Sequence, residues 1–474
     1  MSKSVDFIAL VLAAGQGTRM KSDRPKVLFE LLGRPLLSYP VQAALGSGAR
    51  QVVVVVGHEQ EQVEQALRER FDRRVVTALQ PEQRGTADAA RCGAAAAPDF
   101  DGWFLILYGD CPLVGPDALE ALMQAAGQQR GPLAMLVSRL DNPSGYGRIV
   151  RDASGRVKAV REHRDCSQQE IGIREINPGM YAVEAAFLRK AIGRVQDANV
   201  QKELYLTDLV ELAAAAGEVA DVEWEAGDLL GVNDRHEIGE CERVLRQRVA
   251  RAHALAGVTV RDPLCTYIDA DVVIERDAVI EPNVTLRGRC RIESGARIDV
   301  GCVLSDVTVK AGAQLLPYTV ASQSEIGESA RVGPFSHLRP ESRLGPEVHL
   351  GNFVETKKTR MGKGAKANHL SYLGDGVIGE RVNVGAGTIF CNYDGFGKYT
   401  TVLEDGCFIG SDSQIVAPLT VGRGSYVATG STLTMDVPPD SLAIARASQE
   451  NKVKMAPRLR RMLEAKKRRL QQKK

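Results

Sequence analysis

The segment LAAGQGTRMKSDRPKVL, residues 12–28, sets two glycines close to Arg19 and Lys26, a combination suited to phosphate chemistry. Ile8 to Leu12 are apolar and partly β-branched and read as a buried strand. Gly15 and Gly17 follow at once. A glycine turn after a strand lets backbone N–H groups approach phosphates, and Arg19 and Lys26 add positive charge. A dinucleotide fingerprint needs a third glycine at position 20, where Met20 stands, and the Walker pattern GxxxxGK[ST] is absent. Downstream, LYGDCPL sets Asp110 at the C-terminal end of another buried run. Ligands of open α/β sheets bind at that edge, and a carboxylate facing a polyphosphate there is a natural Mg²⁺ ligand. A second candidate region is ETKKTRMGKGAKANHLSYLGDG, residues 355–376, where His369 lies near Lys357, Lys358 and Tyr372.

Two kinds of pattern must position these groups. Up to about residue 256, buried strand-like runs (51–57, 103–110, 133–138) alternate with helical stretches such as EQEQVEQALRERF. That alternation predicts a mostly parallel, Rossmann-like α/β sheet domain over residues 1–235. Residues 236–256 have helical spacing at Ile238, Val244, Leu245 and Val249 and stop at Gly257, which predicts a linking helix. From 257 to 455 a six-residue period takes over. Ile274, Ile280, Leu286, Ile292, Ile298 and Leu304 keep it, as do Ile326, Val332, Leu338, Leu344 and Leu350, and Ile409, Ile415, Val421, Val427 and Leu433. This is the signature of a parallel β-helix, in which each unit adds one aliphatic side chain to a buried column. Cys290 and Cys302 fall four places after such residues, on the small-residue site, which predicts a packing role. The register slips between Leu350 and Ile378 and again between Val384 and Ile409. Both slips read as insertions, and the first holds His369, on a loop expected to project from the solenoid.

Bulk properties narrow the class. A chain of 474 residues predicts two or three domains. No apolar run is long enough for a membrane span, and the N-terminus lacks a signal-peptide layout, so a cytoplasmic location is expected. The nine cysteines form no CxxC, which excludes a zinc ribbon or thioredoxin-type site and predicts free, mostly buried thiols. Net charge is +2, but Lys452 to Lys474 carries 11 Lys/Arg and one acid, so the rest of the chain stands near −8. The tail, 456–474, has no aromatic residue among its charges, and nucleic acid is not an expected partner.

LAAGQGTRM with the later RPK, and the strand end YGD, resemble the nucleotidyltransferases that make nucleotide sugars. Joined to a hexapeptide β-helix carrying NHLSYLGD and GAGTIFCNYDG, the chain resembles one bacterial family from about residue 5 to about 450. Its members are bifunctional N-acetylglucosamine-1-phosphate uridylyltransferases and glucosamine-1-phosphate N-acetyltransferases. The resemblance implies a left-handed β-helix and synthesis of UDP-N-acetylglucosamine, a precursor for peptidoglycan and lipopolysaccharide. It implies acetyl transfer from acetyl-CoA to glucosamine-1-phosphate, then uridylyl transfer from UTP to N-acetylglucosamine-1-phosphate with release of pyrophosphate.

The resemblance also implies roles. Leu12, Ala13, Ala14 and Gly15 would contact the nucleotide, with Arg19 and Lys26 acting on its phosphates. Gln80, Gly85 and Thr86 would hold the uracil. Tyr108, Gly109 and Asp110 would line the site. Gly147, Glu162 and Asn177 would bind the sugar, and Asn233 would join Asp110 as a ligand of the Mg²⁺ cofactor. In the β-helix, His369 would be the general base that frees the attacking amine. Arg339 and Lys357 would bind the sugar phosphate, and Tyr372 and Asn383 the sugar. Ala386, Asn392, Tyr393, Ser411, Thr429 and Arg446 would contact acetyl-CoA. Thr429 stands where the family is expected to carry a small Ala, so its contact is expected to be through backbone. A homotrimer with acetyl sites at subunit contacts is implied as well. Two other readings share the architecture: a single-activity nucleotidyltransferase making, for example, ADP-glucose, which should lack the His369 region, and a non-enzymatic scaffold as in some translation-factor subunits. Intact Lys26, Asp110 and Asn233 argue against the scaffold.

Overall fold

In the computed structural model, which describes residues 5–472 apart from Gln16, His58 and Gln129, the chain divides into two compact units. The centre of the Gly-x-Gly turn and the last two tail lysines, Lys473 and Lys474, therefore lie outside the described residues. One unit holds residues up to 255 with Tyr267–Val272, and the other Ala256–Thr266 with everything from Val273 on.

The first unit is built on a ten-stranded sheet. Its strands are β1 (Phe7–Leu12), β2 (Gln51–Val56), β3 (Val75–Leu79), β4 (Trp103–Tyr108), β5 (Leu133–Arg139), β6 (Gly147–Arg151), β7 (Val157–Arg161), β8 (Glu175–Asn177), β9 (Tyr181–Glu184) and β10 (Ala220–Glu223). They lie in the order β3-β2-β1-β4-β9-β5-β8-β6-β7, with β10 on β5. The half that carries the signature loop, β3-β2-β1-β4, is parallel. Its strands are uninterrupted apolar runs because helices cover both faces; every residue of β1 is buried. The other half is largely antiparallel. There the turn between β6 and β7 is too short for a crossover helix, so the two strands can only form a hairpin.

A helix, α1, runs Arg235–Leu255, over the segment whose spacing predicts it. Asp234 caps it, its carboxylate accepting the N–H groups of His236 (2.9 Å) and Glu237 (3.0 Å). Cys241 and Leu245 of α1 pack with Met20, Leu31, Leu32, Leu36, Leu113 and Val232. Within the same unit Arg34 and Arg70 pair with Asp271 at 2.5 and 2.7 Å. A fragment cut at residue 235 would expose that cluster and lose that pairing. It is expected to be about 2–4 kcal/mol less stable than one ending at residue 272, the loss coming mainly from Leu245 and Cys241. Urea unfolding of the two fragments measures the difference.

The second unit is a parallel β-helix. All sixteen aliphatic residues of the six-residue pattern are buried, as are Cys290 and Cys302. No cysteine is disulfide-bonded, and five of the nine are buried. Ile280 pairs in parallel with Ile298, 18 positions on, whereas Ile298 pairs with Leu315, 17 positions on. A coil is thus three short strands whose third step has either six or five residues.

That variable step corrects the expected first insertion. Between Leu350 and Ile378 the buried column continues through Thr356, Met361, Ala367 and Leu373. Strands β11 (His349–Lys357) and β12 (Lys366–Gly374) pair along their whole length. Two five-residue steps, 356 to 361 and 373 to 378, shift the count, and Thr, Met and Ala occupy inward places usually marked by Ile, Val or Leu. His369 is therefore not on a projecting loop. It sits in β12 on the wall of the coil, opposite Asn352 of the coil before. The second slip is an insertion: Phe390 pairs with Ile415, 25 positions on. The extra residues form a loop between β13 (Ile389–Cys391) and β14 (Thr401–Leu403), with Tyr393, Phe396 and Tyr399 exposed.

Candidate functional site

A cavity of about 400 Å³ opens where β1 and β4 end side by side. It is lined by Leu12, Ala13, Ala14, Gly15, Arg19, Lys26, Gln80, Gly85, Thr86, Tyr108, Asp110 and Asn233, twelve residues the sequence reading singles out. Gln83 and Glu203 line it too and were missed. Gln83 stands inside the quoted segment LQPEQRGT, and its side chain donates to the Ala14 carbonyl (2.6 Å). Gly17 has a left-handed backbone, φ 60°, and a methyl there would lie 2.6 Å from Lys26 Cβ. The glycine turn therefore folds against the lysine.

Charge is paired in the cavity. Lys26 Nζ bonds the Asp110 carboxylate. Arg19 Nη2 donates to Asn233 Oδ1 at 2.7 Å. Arg235 ties these parts together, donating to the Met20 carbonyl (3.0 Å) and lying over the Phe29 ring (5.2 Å). Asp110 and Asn233 bring two hard side-chain oxygens into the one cavity. Among the described residues no group of three or more His, Cys, Asp or Glu side chains gathers as a metal cage. Two protein oxygens fit a divalent cation that takes its other ligands from phosphates and water.

Gly147, Glu162 and Asn177 come together next to this cavity rather than in its lining. Gly147 pairs with Asn177 across β6 and β8, and a methyl on it would lie 3.6 Å from Glu162 Oε1. Asn177 donates to the Tyr181 hydroxyl (2.6 Å) and accepts the Gly179 N–H (3.1 Å). Gly179, φ 90°, admits the Tyr108 ring so closely that a methyl would fall 2.0 Å from it. Glu162 faces a second cavity of about 420 Å³ and accepts a hydrogen bond from Thr207 (3.1 Å), another residue the sequence reading missed.

Burial pushes the Glu162 carboxyl above its ordinary pKa, against the Thr207 hydrogen bond and with help from Asp165 and Asp208. A carboxyl raised on folding stabilises the fold most below its unfolded pKa, and that contribution is lost as pH rises through the folded value. Glu162→Gln cannot titrate. It is expected to match the wild-type thermal midpoint near ~pH 4 and exceed it at neutral pH, where the wild type holds a buried carboxylate. Thermal midpoints measured against pH check this.

The β-helix residues fall into two groups on either side of Leu370. Gly387 N–H bonds Leu370 O (2.8 Å), Asp412 N–H bonds Ala386 O (2.6 Å), and Gly430 N–H bonds Ser411 O (2.9 Å). A methyl on Gly430 would lie 3.9 Å from Arg446 Cδ. Ala386, Ser411, Thr429 and Arg446 thus form one line down successive coils, starting beside His369. The second group gathers around Tyr372. Its hydroxyl and the Asn392 amide nitrogen lie 2.5 and 2.7 Å from where a methyl on Gly374 would be. Arg339 pairs with Glu355 (2.9 Å), whose strand neighbour is Tyr372. Lys398, on the inserted loop, lies beside Lys357. The closeness of that second ammonium, followed by the charge of Arg339, holds the Lys357 ammonium below its ordinary pKa. Lys398 was missed because only the fold brings it to Lys357. Asn392 and Tyr393 belong to this second group and not to the line with Ser411. Asn383 pairs with Lys366, whereas Tyr372 pairs with Ile389, so Asn383 and Tyr372 are not strand neighbours.

Residues 9–172 match the family model of the MobA-like NTP transferase domain, and residues 264–333 that of the GMPPB C-terminal domain. The chain is 56% identical to the bifunctional protein GlmU of Sorangium cellulosum, over 95% of this chain and 96% of that protein. It is 49% identical to the one from Trichlorobacter lovleyi (94% and 96%) and 46% identical to the one from Geobacter metallireducens (94% and 98%).

Proposed function

The chain belongs to the GlmU family of bifunctional proteins, and from that premise we propose how the synthesis of UDP-N-acetylglucosamine divides between its two units. The β-helix moves the acetyl group of acetyl-CoA to glucosamine-1-phosphate. The sheet unit then joins the product to the uridylyl group of UTP and releases pyrophosphate. The observation that carries the reading is the cavity where Arg19, Lys26, Asp110 and Asn233 meet beside Gln80 and Thr86.

In the first unit the nucleophile is already an anion, the phosphate of the sugar, so no strong base is needed. The barrier is the meeting of two anions. Mg²⁺ held by Asp110 and Asn233 would supply neutralisation of phosphate charge. Lys26 and Arg19, freed from the side chains they now pair with, turn to the phosphate oxygens. The glycine turn offers backbone N–H groups, and Glu162, Asn177 and Gly147 hold the sugar in line.

In the second unit His369 accepts the proton of the attacking amine. Lys357, Arg339 and Lys398 form a local excess of positive charge suited to the sugar phosphate. Lys398→Ala is expected to raise the KM for glucosamine-1-phosphate roughly tenfold with little change in kcat, since the contact is made equally before and during reaction. Steady-state acetyl transfer measures both constants.

Two observations support a homotrimer with shared acetyl sites. Asn383 and Tyr372 are not strand neighbours within one chain, and a site shared between copies would take one of them from each. Tyr318, Phe335 and Phe353 stack in an exposed column on one corner of the coil, with centroids 5.3 and 5.7 Å apart, and a partner would cover it. Among the described residues no helix is long and apolar enough to cross a membrane; we place the enzyme in the cytoplasm.

The test is incubation with glucosamine-1-phosphate, acetyl-CoA, UTP and Mg²⁺, followed by identification of the nucleotide sugar. UDP-N-acetylglucosamine is expected, and N-acetylglucosamine-1-phosphate should accumulate when UTP is withheld. A nucleotide sugar formed without acetyl-CoA, or from ATP in preference to UTP, would favour the single-activity reading.

A further inference from the structure

The C-terminal helix α2 (Met455–Gln471) is exposed along its whole length, with no buried residue. Pro457 sits in its first turn, where its missing N–H would have had no partner within the helix. Placed at 100° per residue, Met462, Met455, Leu459, Leu470 and Leu463 fall on one arc, broken only by Lys466. All five are exposed, between 41% and 59%. Arg458 and Arg469 border that arc on one side, and Arg460 and Lys467 border it on the other. Arg461 and Arg468 lie behind, and Glu464 is the helix's one acid. None of the residues assigned to either site lies in this helix; the last of them is Arg446.

We propose that α2 docks this protein on an anionic lipid bilayer, lying in the interface with its apolar arc among the acyl chains. A narrow apolar stripe flanked by cations and low in overall hydrophobicity is the make-up of an interfacial helix. The bordering Arg and Lys side chains have long stems that let the charged ends reach lipid phosphates while the stripe inserts. Charge complementarity selects the occupant. A second copy of the helix would set seven cations against seven, with one acid each. A nucleic acid would satisfy the cations and leave the five apolar side chains in water.

Co-sedimentation of the full-length protein with vesicles tests this. Binding to phosphatidylglycerol–phosphatidylethanolamine vesicles is expected to exceed binding to phosphatidylcholine vesicles by at least about tenfold, and to fall with salt. The double variant Leu459→Glu/Leu463→Glu keeps most of the positive charge and should lose at least about tenfold in binding to the anionic vesicles. Tryptophan emission of Leu463→Trp should shift to the blue on those vesicles and not in buffer. The proposal is overturned if the wild type does not bind the anionic vesicles or if the double variant binds them as well as the wild type. Tighter binding of duplex DNA than of the vesicles, unaffected by the double variant, would assign the helix to nucleic acid. A fall in solution mass caused by the double variant would assign it to self-association. Either result overturns the lipid reading.

Discussion

Asp110→Asn is expected to lower uridylyl transfer by at least ~10³-fold while acetyl transfer continues at the wild-type rate, the loss matching several kcal/mol of charge stabilisation at the phosphates. The substitution keeps the shape of the side chain and removes its charge. Asp110 sits at the end of β4, and its backbone carbonyl is fixed by the N–H of Val232 (2.8 Å), so the amide should occupy the same place. What changes is the pull on a divalent cation and the partner of Lys26. Assays of each half-reaction on one preparation separate the activities, and an unchanged unfolding midpoint for the first unit excludes misfolding. Retention of most uridylyl activity would remove Asp110 from the metal assignment.

His369→Ala is expected to lose acetyl transfer by at least the ~10²-fold typical of a general base, with uridylyl transfer intact. The side chain is exposed, so its loss should leave the coil unchanged. The neighbouring strand residue, Asn352, and the backbone line from Leu370 to Gly430 do not depend on an imidazole. The pH–rate profile adds a second readout, since the wild-type limb assigned to the base should vanish in the variant. An unaltered profile and rate would make His369 a bystander. The two variants also test each other. Asp110→Asn alone should stall at N-acetylglucosamine-1-phosphate, and His369→Ala alone at glucosamine-1-phosphate. Mixed, they should restore the full conversion, because the intermediate leaves one enzyme and enters the other. Added unlabelled intermediate should dilute label passing from glucosamine-1-phosphate to the final product. A mixture that stays inactive, or label that is not diluted, would mean the intermediate is passed on without release.

The amino-acid pattern alone determined the two architectures and one end of the candidate cavity. FIALVL, QVVVVV and WFLILY are legible as buried parallel strands because both faces of such strands must be apolar. The sixteen-residue column is legible because each coil buries one aliphatic side chain per strand. Asp110 follows directly, since a polar residue closing such a strand lies on the ligand-binding edge. Tertiary structure decided the rest. Lys26 and Asp110 are 84 positions apart and Arg19 and Asn233 are 214 apart, and no local periodicity reports that they meet. Only the fold brings Thr207 to Glu162, Gln83 to Ala14 and Lys398 to Lys357. It also moved His369 from an expected loop to a coil wall. Periodicity records which side chains face the core, and Thr356, Met361 and Ala367 face it without the aliphatic residues that announce the repeat. The length of each coil, 17, 18 or 25 residues, then sets which side chains stack on the next coil, and that length follows from corner geometry and an inserted loop.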